Sequence, residues 1–179
     1  MDFTRLKNNI FDVIKEQQIK LGYRKEAIRL YYPLQSLNRL LGTEINETEM
    51  KSVLEAFAES VKEELGLIFI SCDKNRFCLF LPEEASEYIY THTEHDGFIY
   101  DFIAAVSKHN VSVDDIIRVF RKYSDNVHFE KVNHGEFDYL VYFENGEPDN
   151  YRYCLTDEGD HISYHRFTIE DYNDFYSDK

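Results

Sequence analysis

Apolar residues in the first 65 positions fall at helical spacing with one interruption, and that interruption constrains the fold most. Phe3, Leu6, Ile10, Val13, Ile14 and Leu21 define one amphipathic helix over residues 2–21, ended by Gly22. The pattern then switches to alternation in Ile28-Arg29-Leu30-Tyr31-Tyr32 and runs into Pro33. Proline disfavours helix in the residue before it and suits the first turn of a helix that follows. A short strand at 27–32 is therefore expected, then a helix from Pro33 to Leu41 closed by Gly42.

Asn46 and Glu49 have the spacing of a capping box. The long helix they open carries Met50, Val53, Leu54, Phe57, Val61 and Leu65 on one face, with Lys51, Glu55, Glu59, Lys62 and Glu63 opposite. After Gly66, the apolar runs Leu67–Cys72 and Phe77–Leu81 flank Asp73-Lys74-Asn75-Arg76, which reads as a hairpin. Helix, strand, helix, helix and hairpin follow one another in the order of a winged helix. Residues 1–82 are thus expected to form a winged-helix-like domain.

Residues 83–179 change character. A short helix through Tyr88-Ile89-Tyr90 precedes one built on Phe98, Ile99, Phe102, Ile103 and Val106. Ser112, with Asp114 and Asp115 behind it, caps a third that carries Ile116, Ile117, Phe120 and Tyr123. Four strand-like runs follow at Val127–Val132, Phe137–Phe143, Tyr151–Thr156 and His161–Phe167. His134-Gly135, Asn145-Gly146 and Glu158-Gly159 link them, with Gly supplying positive φ. Thr168 caps a closing helix with Ile169, Tyr172, Phe175 and Tyr176. The class is α+β: a winged-helix-like half packed on an acidic half of helices, four-stranded antiparallel meander and C-terminal helix.

Charge excludes one class of function. The chain carries a net −14, distributed unevenly: residues 1–90 have 12 Lys+Arg against 15 Asp+Glu, and residues 91–179 have 8 against 19. Such a surface repels phosphate backbones and anionic lipid, and suits simple solubility, the usual reason, or a basic protein partner. A winged helix reads DNA with its third helix. Here that helix opens with Glu47 and Glu49 and continues with Glu55, Glu59 and Glu63, so no nucleic acid is expected as a partner. No stretch reaches the roughly 18 apolar residues of a membrane span. The N-terminal MDFTRLKNNI lacks a basic region followed by an apolar run, and no signal peptide is expected. Three cysteines, Cys72, Cys78 and Cys154, lack metal-site spacing and fit free thiols in a cytoplasmic protein.

Two clusters merit attention as sites. His92, Glu94, His95 and Asp96 place four possible metal ligands within five residues, but this is no recognised metal motif, and a surface segment with Thr93 or Asp96 capping the next helix is the favoured reading. The last hairpin supplies the second. A two-residue turn at Glu158-Gly159 would pair Thr156 with His161, Leu155 with Ile162, Cys154 with Ser163, Tyr153 with Tyr164 and Arg152 with His165. Tyr153, Leu155, Ile162 and Tyr164 would then share a buried face. The other face would gather Cys154, His161, Ser163 and His165 beside Arg152 and Thr156. A Cys or Ser within reach of a His is a nucleophile with its base; a solvated polar sheet face explains the same pattern. His161 and His165, four residues apart on a strand, would lie roughly 13 Å apart, too far to chelate one metal. Gly-rich phosphate loops, HExxH, GxSxG and CxxC are missing, so no cofactor is expected.

The run AIRLYYPLQSLNRLLG, the acidic helix after it and the LIFISCDKNRFCLFLP hairpin together resemble a family of short bacterial proteins classed as a domain of unknown function. The likeness extends over most of the chain and brings no assigned activity or site residues with it. Residue chemistry alone then favours a non-enzymatic interaction or regulatory module, with a small hydrolase or metal-dependent enzyme as the alternative.

Overall fold

The computed structural model of the chain describes residues 1–132 and 135–176, and the fold is α+β. Its chain contacts separate two compact units, Met1–Thr93 and Glu94–Lys179.

In the first unit, α1 (Thr4–Leu21) buries Leu6, Ile10 and Ile14, the stripe its spacing demands. Strand β1 (Ile28–Pro33) alternates buried and exposed along its whole length. Pro33 then caps α2 (Leu34–Leu41), and Gly42 closes it in the left-handed conformation. Asn46 and Glu49 form the capping box of α3 (Glu47–Ser60), each side chain reaching the other's backbone N–H. The helix expected to run on to Leu65 breaks at Val61, and Lys62–Leu65 is the separate turn α4.

Strands β2 (Phe69–Asp73) and β3 (Arg76–Leu81) form the hairpin. Lys74 and Asn75 both take positive φ, 48° and 63°, as a two-residue hairpin turn requires. Strand β1 pairs antiparallel with β3, from Ile28 opposite Leu81 to Pro33 opposite Arg76, giving the order β1-β3-β2. Inward side chains of α1, α3 and all three strands share one core, in which Phe57, Phe77, Leu79 and Leu81 are fully buried.

Helix α5 (Glu83–Thr91), assigned by sequence to the second half, belongs to the first unit. Its Ala85 and Ile89 lie in the first core, and Ser86 Oγ meets Gln18 Nε2 on α1 at 3.2 Å. Pro82 marks only the joint between strand and helix.

The second unit opens with α6 (Phe98–Val106) and α7 (Val113–Tyr123), the latter started by a Ser112–Asp115 capping box. The meander β4 (Val127–Lys131), β5 (Tyr139–Phe143), β6 (Tyr151–Asp157) and β7 (Ile162–Thr168) is antiparallel in that order. Helix α8 (Ile169–Tyr176) follows β7 without a loop. Of the His134-Gly135 link, His134 lies outside the described residues. Rings fill the space between the sheet and α6–α7: Phe102 and Tyr153 centroids are 4.7 Å apart, Phe98 and Phe143 4.8 Å, Phe120 and Phe143 5.1 Å. The first two pairs meet edge-to-face and the third is tilted at 36°, so large rings interlock to fill the core.

The last hairpin differs from expectation in two ways. Its register is displaced by two: Thr156 faces Ser163, Leu155 faces Tyr164, Cys154 faces His165 and Tyr153 faces Arg166. The link is a four-residue loop, closed by Glu158 N–H donating to the carbonyl of His161 at 3.0 Å. Asp157 shapes it, its carboxylate accepting from Gly159 N–H at 2.9 Å, and Asn110 N–H holds the Asp160 carbonyl at 2.7 Å. A two-residue shift leaves every side chain on its original face, so burial patterning fits both registers equally. Secondly, the face expected to be solvated is covered. Cys154 packs with Phe137 and Leu140, and Phe167, Tyr172 and Tyr176 close over them from β7 and α8.

Candidate functional site

The residues singled out in the last hairpin do not assemble into a nucleophile and base. Cys154 is only 1% exposed, and burial pushes its thiol up to about 12, so it stays protonated at neutral pH. His165 is its cross-strand neighbour yet points to solvent, and no hydrogen bond joins Cys154 to a histidine among the described residues. His161, expected on the strand, sits in the loop. There its Nδ1 contacts the Asp160 carboxylate at 2.6 Å, a hydrogen bond that raises the imidazole pKa and lowers that of Asp160. Ser163 faces the tip of the same hairpin, its Oγ 3.3 Å from Glu158 Oε1.

The second cluster is equally dispersed. His92 ends α5, where its ring stacks on Tyr88 with centroids 4.0 Å apart and Nδ1 sits 2.9 Å from the Tyr88 carbonyl. His95 Nδ1 lies 3.1 Å from the Tyr100 hydroxyl. Glu94 and Asp96 are exposed. Among the described residues no three His, Cys, Asp or Glu side chains gather as metal ligands.

One buried charged pair was not singled out by sequence. Arg166 on β7 reaches the Asp149 carboxylate at 2.9 Å, both side chains about a tenth exposed. Its guanidinium also lies 3.7 Å from the centre of the Tyr151 ring. Burial lifts the Asp149 carboxyl above its usual range, with Arg166 opposing. The pair ties the long connection before β6 to the sheet, and its sequence signal is weak: an Asp and an Arg seventeen positions apart.

A more accessible feature lies in the first unit, on the outer face of its sheet. Alternation sends Ile28, Leu30 and Tyr32 inward and leaves Arg29 and Tyr31 outward, with Cys78 and Phe80 beside them on β3 and Phe69, Ser71 and Asp73 on β2. Tyr31 is 55% exposed and Phe69 60%. The Arg29 guanidinium lies 5.2 Å from the Phe80 ring centre and that of Arg76 5.2 Å from Tyr31. A shallow cleft of about 610 Å³ runs between Arg29, Tyr31, Ser71, Asp73, Arg76 and Cys78. Large rings thus alternate with guanidinium groups on this open face. The alternation at 28–32 pointed to this face; the outward set was readable once the inward set was known.

The two units thus define an α+β protein with a ring-bearing open sheet at one end of its sequence and a covered sheet at the other. Residues 3–176 match the model of the bacterial family described as "Domain of unknown function, E. rectale Gene description (DUF3877)", and the chain belongs to that family. No curated protein and no solved structure matches it. No helix among the described residues is long and apolar enough to cross a membrane.

Proposed function

We propose that this is a non-enzymatic protein-interaction module of the bacterial cytoplasm, whose first unit is a degenerate winged helix that binds protein in place of DNA. The observation that carries this reading is the outer sheet face, where Tyr31 and Phe69 keep more than half of their surface in water. Exposed rings are unfavourable in an isolated molecule, and clustered ones mark a surface that is covered in use. Support for the winged helix comes from the element order and from β1 closing on β3. Support for the loss of DNA binding comes from α3, which buries Met50, Leu54 and Phe57 and turns Glu47, Glu49, Glu55 and Glu59 to solvent. Lys62 is engaged with Glu59 at 3.2 Å, and on α3 itself Lys51 stands against Glu47, Glu49, Glu55 and Glu59, a poor balance for releasing counterions from a duplex. A basic partner is steered in by the net charge of −14, while the rings supply the contact area.

Photo-crosslinking in the native host tests this. A photoreactive residue placed at Tyr31 or Phe69 should give a defined adduct with another protein, and one at Lys51 on α3 should not. Equal adducts from all three positions, or none from the sheet face, would refute the reading. Duplex DNA binding tighter than about 1 μM at physiological salt would refute its second half.

A further inference from the structure

The geometry points to a binding site for a small organic anion, a carboxylate- or phosphate-bearing molecule with an apolar body, in the cleft between α2 and the β2–β3 turn. This cleft, about 830 Å³, meets the sheet-face cleft at Arg76, which lines both, and has the volume of an ordinary ligand pocket. Arg39, Lys74 and Arg76 line it, against the single carboxylate of Glu44. In a chain of net charge −14, a concavity lined by three cations and one anion is a local reversal of sign.

Two of the cations are unspent. Lys25 and Lys122 lie against Glu87 and Asp101, and Arg118 against Asp115. Lys74 and Arg76 form no ion pair among the described residues, although Asp73 is the cross-strand partner of Arg76. Leu34 and Ile45 supply apolar wall, and Gln35, Thr43 and Asn75 supply neutral hydrogen-bonding groups.

The walls are fixed in advance. Asn38 holds the 43–45 segment with three hydrogen bonds: its Nδ2 donates to the Ile45 carbonyl at 2.9 Å, and its Oδ1 accepts from Ile45 N–H at 3.0 Å and Thr43 Oγ1 at 2.8 Å. Leu34 N–H donates to the Asn75 carbonyl at 2.8 Å, tying the start of α2 to the hairpin turn. A ligand entering here orders little backbone, which preserves affinity. Arg76 offers a forked donor for a carboxylate or phosphate head, and Lys74 adds a point charge.

The test is an amide-resolved NMR titration of the full chain with phenyl phosphate, with inorganic phosphate and benzyl alcohol as separate arms. Phenyl phosphate should shift Gln35, Thr43, Ile45 and Asn75 saturably, more tightly than inorganic phosphate, and benzyl alcohol should leave them unmoved. The double variant Lys74→Asn, Arg76→Gln should weaken phenyl phosphate binding by about tenfold or more, as expected for losing charge-assisted hydrogen bonds. Asn suits the positive φ of position 74, so the turn is kept. Glu44→Gln should tighten binding, an opposite sign that general loss of structure cannot produce. No saturable shift at these amides, or equal affinity in all variants, would overturn the proposal. So would a short duplex DNA shifting the same amides more tightly than phenyl phosphate, which would make the cleft a phosphate-backbone contact.

Discussion

Two antiparallel sheets in one chain treat their faces in opposite ways. In the first unit β1-β3-β2 has one face in the core and leaves the other, with Tyr31, Phe69 and two arginines, in water. In the second, β4-β5-β6-β7 carries α6–α7 rings on one side and α8 on the other, so that even Cys154 is sealed. Chemistry-bearing residues on a sheet therefore have different meanings by location. Cys154 and its neighbours serve packing, whereas Arg29, Tyr31 and Phe69 of the first sheet stay in solvent. The contrast also bears on the aromatic content: rings dominate the second unit's core, whereas the first unit buries Phe57 and Phe77 and leaves Tyr31 and Phe69 on its surface.

The sharpest way to test the covered sheet is to remove its central ring. Tyr153 is fully buried against Phe98, Phe102 and Phe120. Tyr153→Ala should cost about 4 kcal/mol in urea unfolding, within the range for large aromatic truncations in a core. A loss under about 1 kcal/mol would mean that the second unit is not built on this ring.

Next in size is the buried pair. Arg166→Met should destabilise by about 3 kcal/mol, because it strands the Asp149 carboxylate in a poorly solvated place. Adding Asp149→Asn should restore much of that loss, since the second change removes the charge that the first left uncompensated. A double variant as unstable as the sum of the singles would argue against a direct pair.

Covering of the sheet also predicts thiol reactivity. Cys72 and Cys78 are partly exposed and Cys154 is buried, all three free. An aromatic disulfide reagent at neutral pH should titrate two thiols in the native protein and the third only on unfolding. Burial holds the Cys154 thiol near 12, so raising the pH to 9 should not make it reactive in the folded state. Prompt reaction of all three would show that α8 leaves the sheet open.

Why the first sheet was legible and the second only partly so has a physical explanation. In the first unit each boundary carries its own local signal: Pro33, Gly42, the Asn46–Glu49 box and Gly66 each punctuate one element. Face assignment in the last hairpin was likewise set by parity, and Tyr153, Leu155 and Ile162 are all buried. Register was not, because shifts of two preserve parity and the choice rests on Asp157, Asn110 and Asp160, contacts that no local pattern reveals. Nor could patterning show that a helix as short as α8 would cover the polar side. Alternation says which residues share a face and is silent on what lies above it.

The smallest expected effect on stability separates the two sheets most cleanly. Tyr31 and Phe69 are as aromatic as Tyr153 but project from the open sheet, so their burial contributes little to folding. Tyr31→Ser and Phe69→Ser should each change unfolding free energy by no more than about 0.5 kcal/mol, the ordinary range for surface substitutions. On the proposed interaction each change would nevertheless remove a large apolar contact, because interface energy concentrates in a few rings. The Phe69 variant has a second consequence, because β2 is a sheet edge and its next outward apolar residue, Leu67, is also 54% exposed. Lowering apolar character there should improve solubility in concentrated samples, since open edges with exposed rings template association. Unfolding curves and crosslinking yields from a reporter at Arg29 should then diverge: unchanged stability with a lost adduct for both variants. If either serine variant instead loses several kcal/mol, its ring is part of the core, and the first sheet is covered like the second.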